Sequence, residues 1–199
     1  MKSKVVIILG ILGVILLICV GLVAFFSFFA GERDKLDQEF ADIMNVCRGQ
    51  SVPSAATYNP DGRQNLLIAI EPNVSGDLTI YTYAIPDDML ATTANDVALV
   101  LCLDDEREVM IESCPYHNVN GKDEETENVI ERYIYERNVK LIVAQTGEVL
   151  VEETLQGDEP DKCLEQESFR ENQKVIKRKG NSISNGDLRE WVRQFLAAS

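Results

Sequence analysis

Histidine is almost missing from this chain: His117 is the only one in 199 residues. A Ser-His-Asp triad or an imidazole-rich metal centre would have to be built on it. The Gly-x-Ser-x-Gly elbow, the Walker loop, the Gly-x-Gly-x-x-Gly fingerprint and any Cys-x-x-Cys pair are absent. These gaps argue against the familiar hydrolase, nucleotide-binding and dithiol-exchange classes, and no cofactor or metal is expected. Basic residues are scarce as well. Residues 31–199 hold 17 Lys and Arg against 33 Asp and Glu, a net charge of −16. That balance opposes nucleic acid and anionic lipid surfaces, and it suits a soluble domain.

What is present begins with an apolar run. Val5 to Ala30 contain no charge, no Pro, no Asn and no Gln. A helix of these 26 residues rises about 39 Å, against a bilayer core of roughly 30 Å. A cleaved signal has a shorter apolar region and a small-x-small end; here the end is Phe25-Phe26-Ser27-Phe28-Phe29-Ala30. Leu17-Ile18 before Cys19 argue against a lipoprotein, and the lack of an acid inside the run argues against a pilin. The expectation is an uncleaved single-pass anchor in the cell membrane. Lys2 and Lys4 before the run nearly balance Arg33 and Lys35 after it, so charge alone barely sets orientation. The short segment 1–4 favours a cytoplasmic N-terminus and an extracytoplasmic domain. Gly10, Gly13, Gly21 and Ala24, with Leu17 and Phe28, fall on one helical stripe that suits close packing of membrane helices. Ordinary membrane-helix composition gives the same pattern.

Beyond the run lie four cysteines: Cys47, Cys102, Cys114 and Cys163. An even number in a small domain suits disulfides in an oxidising compartment; unpaired thiols in a cytosolic domain are the alternative. Three connectivities exist and all stay open, with Cys102–Cys114 plus Cys47–Cys163 ranked slightly ahead.

The remaining pattern is strand-rich. Leu36, Phe40, Ile43 and Cys47 predict that an amphipathic helix continues from the membrane. Pro53, Asn59-Pro60 and Asp61-Gly62 mark a connector. Leu66–Ile70 and Leu78–Tyr83 read as strands. Val97–Leu103 and Glu108–Cys114 flank Asp104-Asp105-Glu106-Arg107 and read as a hairpin, with Cys102 opposite a residue near Val109. Val129–Ala144 reads as the longest strand, turning at Gln145-Thr146-Gly147-Glu148 into Val149–Leu155. Gln156–Lys179 reads as irregular. Ser184 and Asp187 resemble a capping box ahead of a helix with Leu188, Trp191, Val192, Phe195 and Leu196 on one stripe. The expected fold class is α+β: a transmembrane helix, then one small antiparallel-sheet domain with a C-terminal amphipathic helix. The expected divisions are 1–4, cytoplasmic; 5–30, anchor; 31–64, juxtamembrane helix and connector; and 65–199, extracytoplasmic domain.

Leu99-Val100-Leu101-Cys102, Ile111-Glu112-Ser113-Cys114-Pro115-Tyr116, Glu131-Arg132-Tyr133-Ile134-Tyr135, Thr146-Gly147 and Gly157-Asp158-Glu159-Pro160-Asp161-Lys162-Cys163 form an ordered set. In this set the chain resembles bacterial membrane-anchored proteins of uncharacterised function with a Cys-containing, β-rich extracytoplasmic domain. The resemblance implies an envelope setting and a paired role for Cys102 and Cys114, and it implies no activity.

Candidate sites are few. Asp104–Glu108 and Asp123-Glu124-Glu125 could offer carboxylates to Ca²⁺, but neither has EF-hand spacing and both read better as solvated turns. Lys174, Lys177, Arg178 and Lys179 form the only basic cluster. Asn73-Val74-Ser75 is a glycosylation sequon with meaning only in a eukaryotic secretory host. The favoured function is a non-enzymatic envelope module that meets the bilayer through residues 5–30 and binds a protein partner or a second copy. The alternative is an unusual enzyme or small-ligand or cation receptor, with a concave site around Glu112, Glu131 and Arg132.

Overall fold

The computed structural model describes residues 35–60, 65–116, 128–170 and 173–198. The apolar run 5–30, its Gly10, Gly13, Gly21 and Ala24 stripe, His117 and Asp123-Glu124-Glu125 lie outside them. The chain divides into two compact units, Met1–Ala41 and Asp42–Ser199. In the first, residues 35–39 are helical.

The second unit is a mixed α+β fold. Its seven described strands are β1 (Leu66–Pro72), β2 (Leu78–Ile80), β3 (Val97–Leu103), β4 (Arg107–Tyr116), β5 (Asn128–Val143), β6 (Val149–Gln156) and β7 (Val175–Lys179). Two helices flank them, α1 (Ala41–Met44) and α2 (Asn185–Ala198). All seven strands join one sheet.

β5 is the spine of that sheet. Its 16 residues span about 50 Å, long enough to seat two strands end to end on each edge. β3 pairs with Val139–Val143, and β4 with Asn128–Glu136, both antiparallel. β6 pairs antiparallel with Glu136–Ile142. Glu136 is opposite both Arg107 and Gln156, so β4 and β6 occupy different edges. β7 lies end to end with β6 and runs parallel to Val129–Tyr133. β1 runs parallel to β3, and β2 closes the sheet antiparallel to β1. The antiparallel expectation is therefore corrected to a mixed sheet with two parallel pairs.

The expected β3–β4 hairpin does not form. Asp104-Asp105-Glu106 do not reverse the chain, and the Asp104 N–H donates to the Asn138 carbonyl at 3.0 Å, continuing the ladder. β3 and β4 are one line along β5, kinked at 104–106 and again by the register shift at Ile111. Each kink inserts one residue that has no opposite number, the geometry of a β-bulge. Cys102 thus lies opposite Lys140, not near Val109.

Two further expectations change. The Leu78–Tyr83 strand stops at Ile80, and Thr82–Ala84 form a 3₁₀ turn. The supposedly irregular Gln156–Lys179 contains β7. By contrast, the β5–β6 hairpin forms over the expected turn. Gly147 takes φ 76°, and Val143 N–H donates to Glu148 O at 2.8 Å. A positive φ is easy only for glycine.

Both faces of the sheet centre are covered, which explains why every residue of β3 is apolar and buried. On one face Leu67, Leu99, Leu101, Val139 and Leu141 pack with Leu188 and Val192 of α2. α2 opens with a true capping box. Ser184 N–H donates to Asp187 Oδ2 at 2.8 Å, and Asp187 N–H to Ser184 Oγ at 3.2 Å. The Ser184 hydroxyl also donates to Asp187 Oδ2 at 2.7 Å, and this bond first, with that from the Ser184 N–H, holds the Asp187 carboxyl below its ordinary pKa. The opposite face meets the 3₁₀ turn Asn45–Arg48, where Val46 is buried and Cys47 bonds to Cys102. The connector is stitched to the same unit: Val52 N–H donates to Ala144 O at 2.9 Å, and Ala56 N–H to Val97 O at 3.0 Å.

Candidate functional site

Two disulfides form, Cys47–Cys102 and Cys114–Cys163, with Cα separations of 5.6 Å and 6.5 Å. This corrects the preferred pairing of Cys102 with Cys114 and of Cys47 with Cys163. The reason is the collinearity of β3 and β4. Cys102 lies level with Lys140 and Cys114 level with Ile130, so ten residues of β5 separate them, roughly 33 Å. A bridge needs Cα atoms within about 7 Å. The same register puts both cysteines on one face of the sheet, since both lie opposite even positions of β5. Each disulfide therefore lashes an irregular segment onto that face, one at each end of the spine.

At the far end that segment is the loop between β6 and β7. It begins at Gly157, where the chain leaves β6, and passes close to Gly180, where the chain leaves β7. A Cβ on Gly157 would lie 2.1 Å from Asn181 O, and one on Gly180 would lie 1.7 Å from Asp158 O. Only hydrogen fits where the backbone leaving β6 passes the backbone leaving β7. From there the loop runs over β4, β5 and β7, burying Ile130 and Ile134.

Arg132 is the anchor of this loop. It is 6% exposed. Its Nη2 donates to Pro160 O at 2.7 Å and its Nε to Asp161 O at 2.9 Å. Its Nη1 binds the Glu112 carboxylate, and Glu159 lies 3.6 Å away. A planar, permanently charged fork suits two carbonyls and a carboxylate at once. Further ties come from Tyr116, whose hydroxyl donates to Leu164 O at 2.7 Å and whose ring meets Phe169 at 5.5 Å. Arg178 holds Lys162 O at 3.2 Å and the Glu167 carboxylate.

The expected convergence of Glu112, Glu131 and Arg132 fails. Adjacent strand residues point to opposite faces. Glu112 and Arg132 face the loop, whereas Glu131 lies on the other face and accepts from the Tyr133 hydroxyl at 2.7 Å. That bond is the main cause that raises the Tyr133 pKa. Nearby, Lys179 binds Glu108, which lowers the carboxyl pKa and raises that of the ammonium. Lys177 stands 5.0 Å from the Tyr133 ring centroid.

The Asp104–Glu108 carboxylates are dispersed rather than gathered. Asp104 accepts from Asn138, Glu106 from the Ile183 N–H at 2.9 Å, and Glu108 from Lys179. Lys177, Arg178 and Lys179 alternate between the two faces of β7. Glu112, Cys114 and Cys163 bring potential ligand atoms within 4.8 Å of one another. While the disulfide stands, neither sulfur is a thiolate, and Arg132 already holds the Glu112 carboxylate. Sequence reasoning missed the two-glycine crossing, although Gly157 and Gly180 bracket the polar segment. It named Arg132 for chemistry rather than for holding a loop.

Comparisons with family models, with curated proteins and with solved structures find no match to the chain.

Proposed function

We propose that the chain is a single-pass, membrane-anchored extracytoplasmic module with a non-enzymatic role in protein interaction or assembly at the cell envelope. The observation that carries this reading is the pair of disulfides, each fixing a flanking segment to the same face of one sheet. Such staples persist where the environment is oxidising, and a small acidic domain gains most from them there. The run 5–30 supplies the anchor, with residues 1–4 on the cytoplasmic side. The non-enzymatic part is supported by side chains that bind one another instead of converging: Arg132 with two carbonyls, Glu108 with Lys179, Glu131 with Tyr133. A membrane-impermeant protease added to intact spheroplasts tests the topology. Digestion of the region after Ala30 is expected; full protection until lysis would reverse the orientation.

A further inference from the structure

The two disulfides sit in unlike surroundings. Cys102 is 7% exposed, and Leu101 and Leu103 on either side of it are buried. Its cross-strand neighbours are the buried Ile70 and Lys140, whose ammonium is held by Glu152 at 3.0 Å. Its partner Cys47 is half-buried beside the buried Val46. At the other end Cys114 and Cys163 are both half-buried, and their chain neighbours Ser113, Pro115, Lys162 and Leu164 are all exposed. Thiol–disulfide exchange needs one sulfur that an incoming thiolate can reach and another that can leave as a thiolate. At Cys47–Cys102 burial shields one sulfur from attack. Attack on the other would expel Cys102 as an anion into a site shielded from water, where charge is poorly solvated. At Cys114–Cys163 either sulfur leaves into partly solvated surroundings. The one carboxylate close by, that of Glu112, has its charge offset by Arg132.

Cutting a bridge usually frees what it held, but this loop has other ties on both sides of Cys163. Arg132 binds the carbonyls of Pro160 and Asp161, Arg178 that of Lys162, and the Tyr116 hydroxyl that of Leu164. Cys114 is fixed in the ladder opposite Ile130. The sheet and these hydrogen bonds therefore help to set the 6.5 Å between the two Cα atoms, and a bridge needs no more than about 7 Å. We propose that Cys114–Cys163 is a redox latch, which a dithiol opens and its disulfide form recloses in the folded protein while Cys47–Cys102 stays shut. One thiolate of the dithiol attacks a sulfur of the bridge and forms a mixed disulfide, releasing the other cysteine as a thiolate that takes up a proton. The second thiol of the dithiol then attacks the reagent's own sulfur and expels the remaining cysteine. Both cysteines end as thiols and the dithiol as a cyclic disulfide, with two electrons and two protons passed to the protein. Reclosure runs the same steps backward. With the latch shut, the loop over Ile130 and Ile134 is pinned. With it open, the loop stays seated on Arg132, Arg178 and Tyr116 and opens locally more often.

Dithiothreitol added to the full chain in detergent at neutral pH tests this, with samples alkylated over time and mapped by mass spectrometry. Cys114 and Cys163 are expected to become alkylated together, at least about tenfold faster than Cys47 and Cys102. Near-ultraviolet circular dichroism should keep its folded signal, and trypsin should cut after Lys162 no more than about tenfold faster than in the closed form. Oxidised dithiothreitol should then restore the same pair. Equal rates for the two bridges, or earlier opening of Cys47–Cys102, overturn the proposal. So does loss of the folded signal as the first bridge opens, or cutting after Lys162 beyond that limit, because the loop would then have come away. None of these outcomes depends on which side of a membrane the domain occupies.

Discussion

Arg132 shows how a charged residue can be spent on architecture. Its guanidinium satisfies the carbonyls of Pro160 and Asp161 inside the fold and ends on Glu112, which is half exposed. Removing it leaves the buried Pro160 carbonyl and the part-buried Asp161 carbonyl without their donor, and a buried orphan costs about 1–3 kcal/mol. Arg132→Ala is therefore expected to lose about 2–4 kcal/mol in urea unfolding under non-reducing conditions. Arg132→Lys should recover only part of that, because an ammonium cannot form the planar fork. A loss below about 0.5 kcal/mol, the level of an ordinary surface change, would show that the loop is held by its disulfide alone. This role is hidden in the sequence. Alternation places Arg132 among Ile130 and Ile134 on one face of β5, but nothing local says that a loop from 160 folds back to cover it.

Elements divide into those that local pattern specifies and those that distant pairing specifies. α2 is legible because its cap, Ser184 with Asp187, and its stripe lie within one helix. The β5–β6 hairpin is legible because Gly147 supplies the positive φ that its turn requires. The β3–β4 relation is not. Asp104-Asp105-Glu106 are turn formers by composition, yet the sixteen-residue β5 offers partners to both strands in line and turns a local bend into a bulge. β7 escapes notice for a similar reason: its parallel partner is far away in sequence, and three of its five residues are cations. The β6–β7 junction rests on backbone proximity instead of side chains. Gly157→Ala and Gly180→Ala should each destabilise by more than about 2 kcal/mol. In each case the added methyl meets a backbone oxygen at 2.1 Å or 1.7 Å, and the crossing strands must part. Thermal unfolding measures both, and wild-type midpoints would contradict the close backbone crossing.

For the whole molecule, the disulfides tie the fold to the proposed extracytoplasmic setting. They close loops with separations of 55 and 49 residues, each worth about 4 kcal/mol in the chain-entropy model. That contribution is large against a typical folding free energy of about 5–15 kcal/mol. The cysteine count, and with it the expectation of disulfides, could be read from composition. The connectivity could not, since it depends on β3 and β4 being collinear. Because β3 and β4 run in line, Cys102 and Cys114 lie at opposite ends of the spine, and each staples a different flank. Non-reducing peptide mapping by mass spectrometry, on protein alkylated at the moment of cell lysis, tests this most directly. The expected result is two cross-linked peptides, Cys47 with Cys102 and Cys114 with Cys163, and no alkylated cysteine among these four. A Cys102–Cys114 peptide would contradict the sheet topology, and four alkylated thiols would contradict the extracytoplasmic setting.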